Sequence, residues 1–501
     1  MSAAVAFRVD SSESAGSGHT MRCLALAGEL SALGGEPAFV ARDAPGNVNA
    51  AVTASGYTLN ALPGAASGGS PTDAADTSLA LSSRVAWMVV DHYDLDAAWE
   101  RAIKRTSAEN VFAIDDLGRA HECDLLLDQN TAGPSELYRD RVPAGCRRLL
   151  GPGFALLRRE FLRRRRRLRA RDGALERLLV CFGSADGANQ TPKALAALAR
   201  PSFRGLAIDV VVGRANRRAD AVERRCADLP NATFHLQTDD MPALIADADL
   251  AIGAAGSMTW ERCCLGLPTL TIVCARNQQG PATTGARAGA TLDLGAAQRV
   301  DEALIANTVE ALRADPPRLA RMSAAGMGLV DGQGARRVAE AMLGFDVADV
   351  RADDVDQLWH WANDPAVRGH AFRSDPIPLE AHMRWFSERL NDARCRIYVA
   401  RVGTKPVGQV RLEVTGDRAF VDISVDREWR GRGIGSRTLE LALERFGAAW
   451  PGVDVVAQVK AGNTASQELF ARAGFTSRAS TRPDAVELEW RARHCGSVYN
   501  P

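Results

Sequence analysis

Short apolar runs alternate with stretches of helical periodicity through the first third of the chain. The runs cover residues 5–9, 37–40, 86–90, 111–114 and 125–127. Apolar runs of this length, separated by helical segments, predict a parallel sheet wrapped by helices. The alternation resumes at 177–182, 208–212, 232–235, 250–253, 269–273 and near 291–294. That second set predicts a second doubly wound sheet. Near residues 342–346 the rhythm changes. Residues 397–400, 407–414 and 419–425 read as consecutive strands, with turn signals at Gly403-Thr404-Lys405 and Gly416-Asp417. A helix from about 436 to 446, a strand at 453–459 and a helix from about 464 to 473 follow. Hairpin strands, then a helix, then a strand, make an α+β layout. The fold class expected is therefore α/β, with two Rossmann-like domains at 1–147 and 148–343 and an α+β domain at 345–501.

Two doubly wound domains facing each other make a cleft, because such sheets bind ligands beyond the carboxyl ends of their strands. The turn after the first run reads Gly16-Ser17-Gly18-His19-Thr20-Met21-Arg22-Cys23. Glycines there let backbone approach a ligand. A histidine at a helix start is disfavoured as imidazolium by the local positive charge, and a neutral imidazole is what a base needs. In the second set, Ala254-Ala255-Gly256-Ser257 opens a helix after a buried strand, a place where a diphosphate can meet backbone N–H groups. Glu261, one helical turn on, is placed to accept from ribose hydroxyls or to complement the helix start. Asp115-Asp116, at a strand end, reads as a sugar-binding or capping pair rather than a metal pair. In the last domain, Arg430-Gly431-Arg432-Gly433-Ile434-Gly435 sits between a strand and a helix, as a pyrophosphate loop does.

Charge changes little in this picture. The 501 residues hold 61 Lys+Arg and 61 Asp+Glu, so no net charge argues for nucleic acid or a membrane surface. The run at 158–171, "RREFLRRRRRLRAR", reads as a solvated helix at a domain junction. The first residues, MSAAVAFRVD, lack signal-peptide character, and no apolar stretch is long enough to span a membrane. The ten cysteines show no CxxC spacing. Reduced thiols in a cytoplasmic protein fit this best.

Residues 345–480 resemble GNAT-type acyl-CoA N-acyltransferases. Arg430, Gly433 and Gly435 meet that family's pyrophosphate signature, and "VKAGNTASQELFARAGF", "WANDPAVR" and "EAHMRWF" resemble its other motifs. The resemblance implies that acetyl-CoA is bound by Val425, Arg430, Gly431, Arg432, Gly433, Ile434, Gly435, Ser436, Asn463, Ser466 and Phe470. Asp422 and Glu413 are the candidates to take the amine proton. Where the family often has a tyrosine that protonates the departing thiolate, this chain has Phe470.

Residues 5–340 resemble the UDP-sugar hydrolases of pseudaminic acid biosynthesis, enzymes of the GT-B type. The stretches that carry this are "RVDSSESAGSGHTMRCLALAGEL", "VVDHYDLDAAWE", "IDDLGRAHECDLLLDQN", "LLGPGFALLR", "CFGSADGANQT" and "AGSMTWERCCLGLP". The resemblance implies His19 as the base that activates water. It places Gly16, Gly18, Arg22, Asp91, Tyr93, Gly256, Ser257, Glu261, Asn277 and Gln278 around a UDP-sugar. His92 is expected to point away, by strand alternation. Two consecutive steps on a UDP-4-amino sugar are implied, N-acetylation and then loss of UDP, with no metal. The alternatives are a glycosyltransferase with another acceptor, and a hydrolase whose acyl-CoA domain binds without turnover. The oligomeric state is left open.

Overall fold

In the computed structural model, residues 3–13, 16–62, 71–131, 136–238, 240–480 and 482–491 are described. The chain forms two compact units, Met1–Met342 and Leu343–Pro501. Among the described residues, no helix is long and apolar enough to cross a membrane.

The first unit holds two parallel sheets. The strands of the first are β1 (Ala4–Val9), β2 (Glu36–Arg42), β3 (Thr58–Leu62), β4 (Val85–Asp91), β5 (Ala108–Ile114), β6 (Leu125–Asp128) and β7 (Arg147–Leu150). Their order is β3-β2-β1-β4-β5-β6-β7. The chain builds outward from β1 on one side, then returns to build from β4 on the other. The direction reverses between β1 and β4, which pair in parallel with Val9 opposite Asp91. The second sheet comprises β8 (Arg177–Cys181), β9 (Ala207–Val212), β10 (Ala232–Leu236), β11 (Leu250–Ala254), β12 (Thr269–Val273) and β13 (Thr291–Ala296), in the order β10-β9-β8-β11-β12-β13. Its reversal lies between β8 and β11, where Gly253 stands opposite Cys181. The crevice at such a reversal is where open α/β sheets hold ligands.

Burial explains the apolar runs. Four of the five residues of β8 and the first four of β11 are buried, since helices cover both faces. The edge strands β3 and β7 were not expected from the sequence. Thr58–Leu62 is largely half-exposed, and Arg147–Leu150 opens on two exposed arginines, so neither shows an uninterrupted apolar run.

The arginine-rich run is in part solvated, with Arg163, Arg166, Arg167 and Arg169 exposed, and in part braced. Arg165 donates to the carbonyls of Cys264, Val330 and Met327, and Arg171 to those of Ile245 and Ala246. Arg159 pairs with Glu29 of the first half at 2.5 Å. The helix Arg159–Arg165 thus ties the returning chain to both halves of the unit.

The second unit has one mixed sheet of β14 (Phe345–Asp349), β15 (Cys395–Val402), β16 (Lys405–Thr415), β17 (Arg418–Val425), β18 (Asp454–Lys460), β19 (Thr476–Arg478) and β20 (Ala485–Trp490). The order is β14-β15-β16-β17-β18-β20-β19. Every pairing is antiparallel except β17 with β18, and that one spans only Arg418–Phe420 against Asp454–Val456. Beyond Phe420 the two strands part, and the sheet opens into a notch.

Candidate active sites

His19 follows β1 in the first turn of the helix Gly18–Ala32, and Asp91 ends β4. The sheet reversal therefore brings them together. His19 Nδ1 lies 2.6 Å from Asp91 Oδ1. Arg22, one turn along the same helix, grips that carboxylate with both ends of its fork, Nε to Oδ2 at 2.6 Å and Nη2 to Oδ1 at 2.5 Å. Asp91 is 1% exposed. Burial alone would raise its pKa, but Arg22 and His19 outweigh that and hold it well below the usual carboxylate range. An ionised Asp91 accepts a hydrogen bond from Nδ1–H, so the ring's Nε2 is left as the acceptor.

Tyr93 meets the His19 ring edge-on, centroids 4.9 Å apart. Its hydroxyl donates to Asp116 Oδ2 at 3.2 Å and accepts from Asn277 Nδ2 at 2.9 Å. Asn277 belongs to the second half, in the short turn Arg276–Gln278 after β12. Gln278 of that turn stands beside Gly256, where an added Cβ would lie 3.9 Å from its Nε2. The glycine-rich turn faces the second half directly. A Cβ on Gly16 would come within 3.5 Å of Ser184 Oγ, and one on Gly18 within 3.6 Å of Ser257 Oγ. Gly16 has φ +76°, a left-handed conformation that favours glycine. Glu261 is half-buried on the helix Met258–Cys264. Burial raises its pKa, with Arg158 and Arg262 opposing.

The paired aspartates divide their work. Asp115 accepts from Arg119 and from Tyr138, inside the fold. Asp116 points to Tyr93 and to Asn130, whose Nδ2 is 3.3 Å away. Its other oxygen is buried and has no hydrogen-bond partner among the described residues. Burial pushes its pKa up. His92 turns away from this group and faces Asp10 at 3.2 Å.

In the second unit, the notch between β17 and β18 is a cavity of about 930 Å³. Val425, Arg430, Gly431, Gly433, Ile434, Gly435 and Ser436 line one wall. Gly431 and Gly433 have φ +75° and +79°, which turns the loop sharply into the helix Ile434–Ala449. The first N–H groups of a helix have no partner within it and can bind an anion. A Cβ on Gly435 would press within 3.0 Å of Leu469 and 3.1 Å of Val425. Arg430 braces the loop, pairing with Asp364 at 3.0 Å and donating to the Val425 carbonyl. Asn463 caps the helix Thr464–Arg472 by accepting from Ser466 N–H. Phe470 is buried against Phe475.

Residues 192–340 match the model of the Glycosyltransferase family 28 C-terminal domain, and residues 355–475 that of the Acetyltransferase (GNAT) family. The chain carries both domains. Over 163 residues it is 36% identical to spore coat polysaccharide biosynthesis protein SpsG of Bacillus subtilis, which is 32% of this chain and 48% of that one. Over 285 residues it is 23% identical to the UDP-2,4-diacetamido-2,4,6-trideoxy-beta-L-altropyranose hydrolase of Campylobacter jejuni, covering 57% of this chain and 97% of the relative. The chain thus spans about half the length of the first of these relatives and nearly all of the second. A crystal structure of Acinetobacter baumannii MurG aligns with a TM-score of 0.50 at 15% identity, over 68% of this chain and 99% of that one. That likeness is one of fold, the GT-B pair of Rossmann-like sheets.

In the glycosyltransferase-28-like unit, all of the residues expected around a UDP-sugar except Glu261 are brought together between the two halves. His19, Arg22, Asp91 and Tyr93 form a connected group, and Asn277 joins it from the other half. The sequence reading missed Asn130 and Trp260. Trp260 Nε1 donates to Asn130 Oδ1 at 2.8 Å, and Thr284 Oγ1 to the Asn130 carbonyl at 2.7 Å. Both bonds cross from the second half to the first. The quoted stretch "LLLDQN" contains Asn130, but nothing in its spacing points to the partners.

In the GNAT unit the two candidate bases separate. Asp422 lines the cavity and accepts from Gln409 Nε2 at 3.3 Å. Glu413 does not line it and pairs with Arg389 at 3.3 Å. The two residues share a hairpin, but Glu413 opposes Phe420 while Asp422 opposes Arg411, two residues nearer the loop. Arg432 leaves the cavity wall to lie over Trp429, 5.5 Å from its ring centroid.

Proposed function

We propose that the chain is a bifunctional nucleotide-sugar enzyme. Its GNAT unit transfers an acetyl group from acetyl-CoA to the 4-amino group of a UDP-4-amino-4,6-dideoxy-N-acetylhexosamine. Its first unit then hydrolyses the product to UDP and a 2,4-diacetamido-2,4,6-trideoxyhexose, the chemistry named for the Campylobacter relative. The observation that carries the reading is the His19–Asp91–Arg22 group at the sheet reversal, facing Ser184 and Ser257 across the cleft.

In hydrolysis, Arg22 fixes Asp91, and Asp91 holds His19 Nδ1–H. His19 Nε2 takes a proton from water as the water oxygen bonds to the anomeric carbon. The bond from that carbon to the β-phosphate oxygen breaks, and UDP leaves with the electron pair. Backbone at Gly256-Ser257 receives the growing phosphate charge. Tyr93 and Asn277, joined across the cleft, orient the sugar. Glu261 accepts from the ribose hydroxyls.

In acetyl transfer, the glycine loop and the first turn of Ile434–Ala449 hold the pyrophosphate of CoA. The sugar amine bonds to the thioester carbonyl carbon, Asp422 takes the amine proton, the C–S bond breaks and CoA leaves with the electron pair as its thiolate. Residue 470 brings no proton to the departing thiolate, since phenylalanine has none to give. The free thiols and the two substrates fit a cytoplasmic enzyme.

Incubating the protein with the UDP-4-amino sugar, with and without acetyl-CoA, and following masses tests the proposal. With acetyl-CoA, a UDP-sugar carrying one more acetyl group than the substrate should appear first, then UDP and the free diacetamido sugar. If neither an acetylated species nor UDP forms, the reading is wrong.

A further inference from the structure

Arg262 is 1% exposed, on the helix Met258–Cys264 that Ser257 opens. Its Nη2 donates to the Ala254 carbonyl at 2.7 Å, with Thr259 Oγ1 at 3.4 Å. Its Nε is buried with no hydrogen-bond partner among the described residues. No ion pair with a carboxylate holds it among those residues. Glu261, its neighbour, acts on it only at longer range.

The position of Nη1 is telling. A Cβ on Gly253 would lie 2.5 Å from Arg262 Nη1 and 2.3 Å from the Cys181 carbonyl oxygen. The guanidinium therefore occupies the space that only glycine leaves free, across the ends of β8 and β11. Those are the two strands at the sheet reversal. The loops that follow them, with Ser184 and Ser257, face the glycine-rich turn of the other half. The charge thus sits directly beneath both loops of the leaving-group side of the cleft.

A buried guanidinium without a counter-ion is costly, and an apolar side chain of similar volume would serve the fold at least as well. Its own helix has only seven residues. We propose that Arg262 is a positioning residue for the UDP diphosphate. It supplies a fixed positive charge through the backbone of the two loops without touching the ligand. The diphosphate is its missing counter-ion. Its effect grows as the bond to the anomeric carbon breaks and the β-phosphate gains charge. This inference rests on the reading of the cleft as a UDP-sugar site.

The test uses the full chain with Arg262→Gln and Arg262→Lys. Glutamine keeps a donor for the Ala254 carbonyl and removes the charge, and lysine keeps the charge and removes the fork. Binding of UDP and of uridine is measured by calorimetry, with thermal melting of each protein alone. Arg262→Gln should bind UDP at least tenfold more weakly, bind uridine as the wild type does, and melt no lower. Arg262→Lys should keep most of the UDP affinity. Unchanged UDP affinity in Arg262→Gln overturns the proposal. So does an equal loss for UDP and uridine, which marks a collapsed loop, or an equal loss in both variants, which marks the fork rather than the charge. A wild type that binds neither compound instead overturns the UDP-sugar reading itself.

Discussion

Replacing Asp91 with asparagine isolates the contribution of the His19–Asp91–Arg22 group. The amide oxygen of the new side chain can satisfy His19 or Arg22, but it carries no charge to hold both. The imidazole then loses the single acceptor that fixes its proton on Nδ1. In the comparable histidine–aspartate pair of serine proteases, the same replacement costs about 10⁴ in kcat. Here Arg22 and Tyr93 still confine the ring, so UDP release should fall by about 10³ to 10⁴, roughly 4 to 5.5 kcal/mol of barrier. Stability also suffers. Arg22 is 7% exposed and would lose its bidentate partner at 2.5 and 2.6 Å, with only Asp116 remaining at 3.9 Å. Breaking a buried pair in this way costs about 3 to 5 kcal/mol. The assay follows UDP release from the pre-acetylated sugar nucleotide, with acetyl transfer on the amino sugar as an internal control that should not move. His19→Ala and the double variant complete a cycle. Because the residues act as a unit, the double variant should be no slower than His19→Ala alone. UDP release within about tenfold of wild type in Asp91→Asn would refute the assignment, as would a double variant far slower than either single one.

Other outcomes follow from the same structure. His121 is 5% exposed, and although burial opposes its charge, Asp115 and Glu100 raise its pKa to about 9 from 6.5. Its stabilisation is therefore complete below about pH 6.5 and lost as pH rises through 9, by about 3 kcal/mol at about 1.36 kcal/mol per unit. Urea midpoints of the wild type and His121→Gln should converge between about pH 6.5 and 9.5, and parallel curves would sink the idea. Asp422→Asn should slow acetyl transfer by about 10² or more, while Glu413→Gln stays within about twofold. Thiol release with acetyl-CoA and the amino sugar reads both, and the reverse ranking would move the base to Glu413.

Much of the fold was legible because buried parallel strands write themselves as apolar runs. The runs at 177–182 and 250–253 became β8 and β11, and the turn after the first run became the start of Gly18–Ala32. The edges of the second sheet, β10 and β13, were legible, but those of the other two were not. β3, β7, β14 and β19 each face solvent on one side, and their side chains are mixed accordingly. Within the cleft, residues close in sequence to a strand end were readable, as with His19, Asp91 and Gly256. Asn130 was not, because its partners Trp260 and Thr284 are distant in the chain and lie on helices of the other half. The Glu413 candidate came from a hairpin register that sequence alone does not resolve. Two residues along β16 separate a side chain on the cavity wall from one held by Arg389.

Asn130 follows β6 of the first sheet, yet the second half holds it twice. Trp260 and Thr284 reach it from two different helices, and Asn130 in turn touches Asp116, which touches Tyr93. Asn130 thus joins the two halves of the unit directly beside Asp116 and Tyr93. Trp260 sits on the seven-residue helix that Ser257 opens, and Thr284 on the helix Gln279–Arg287. A rotation of one half against the other must therefore pivot near this asparagine or break both of its bonds.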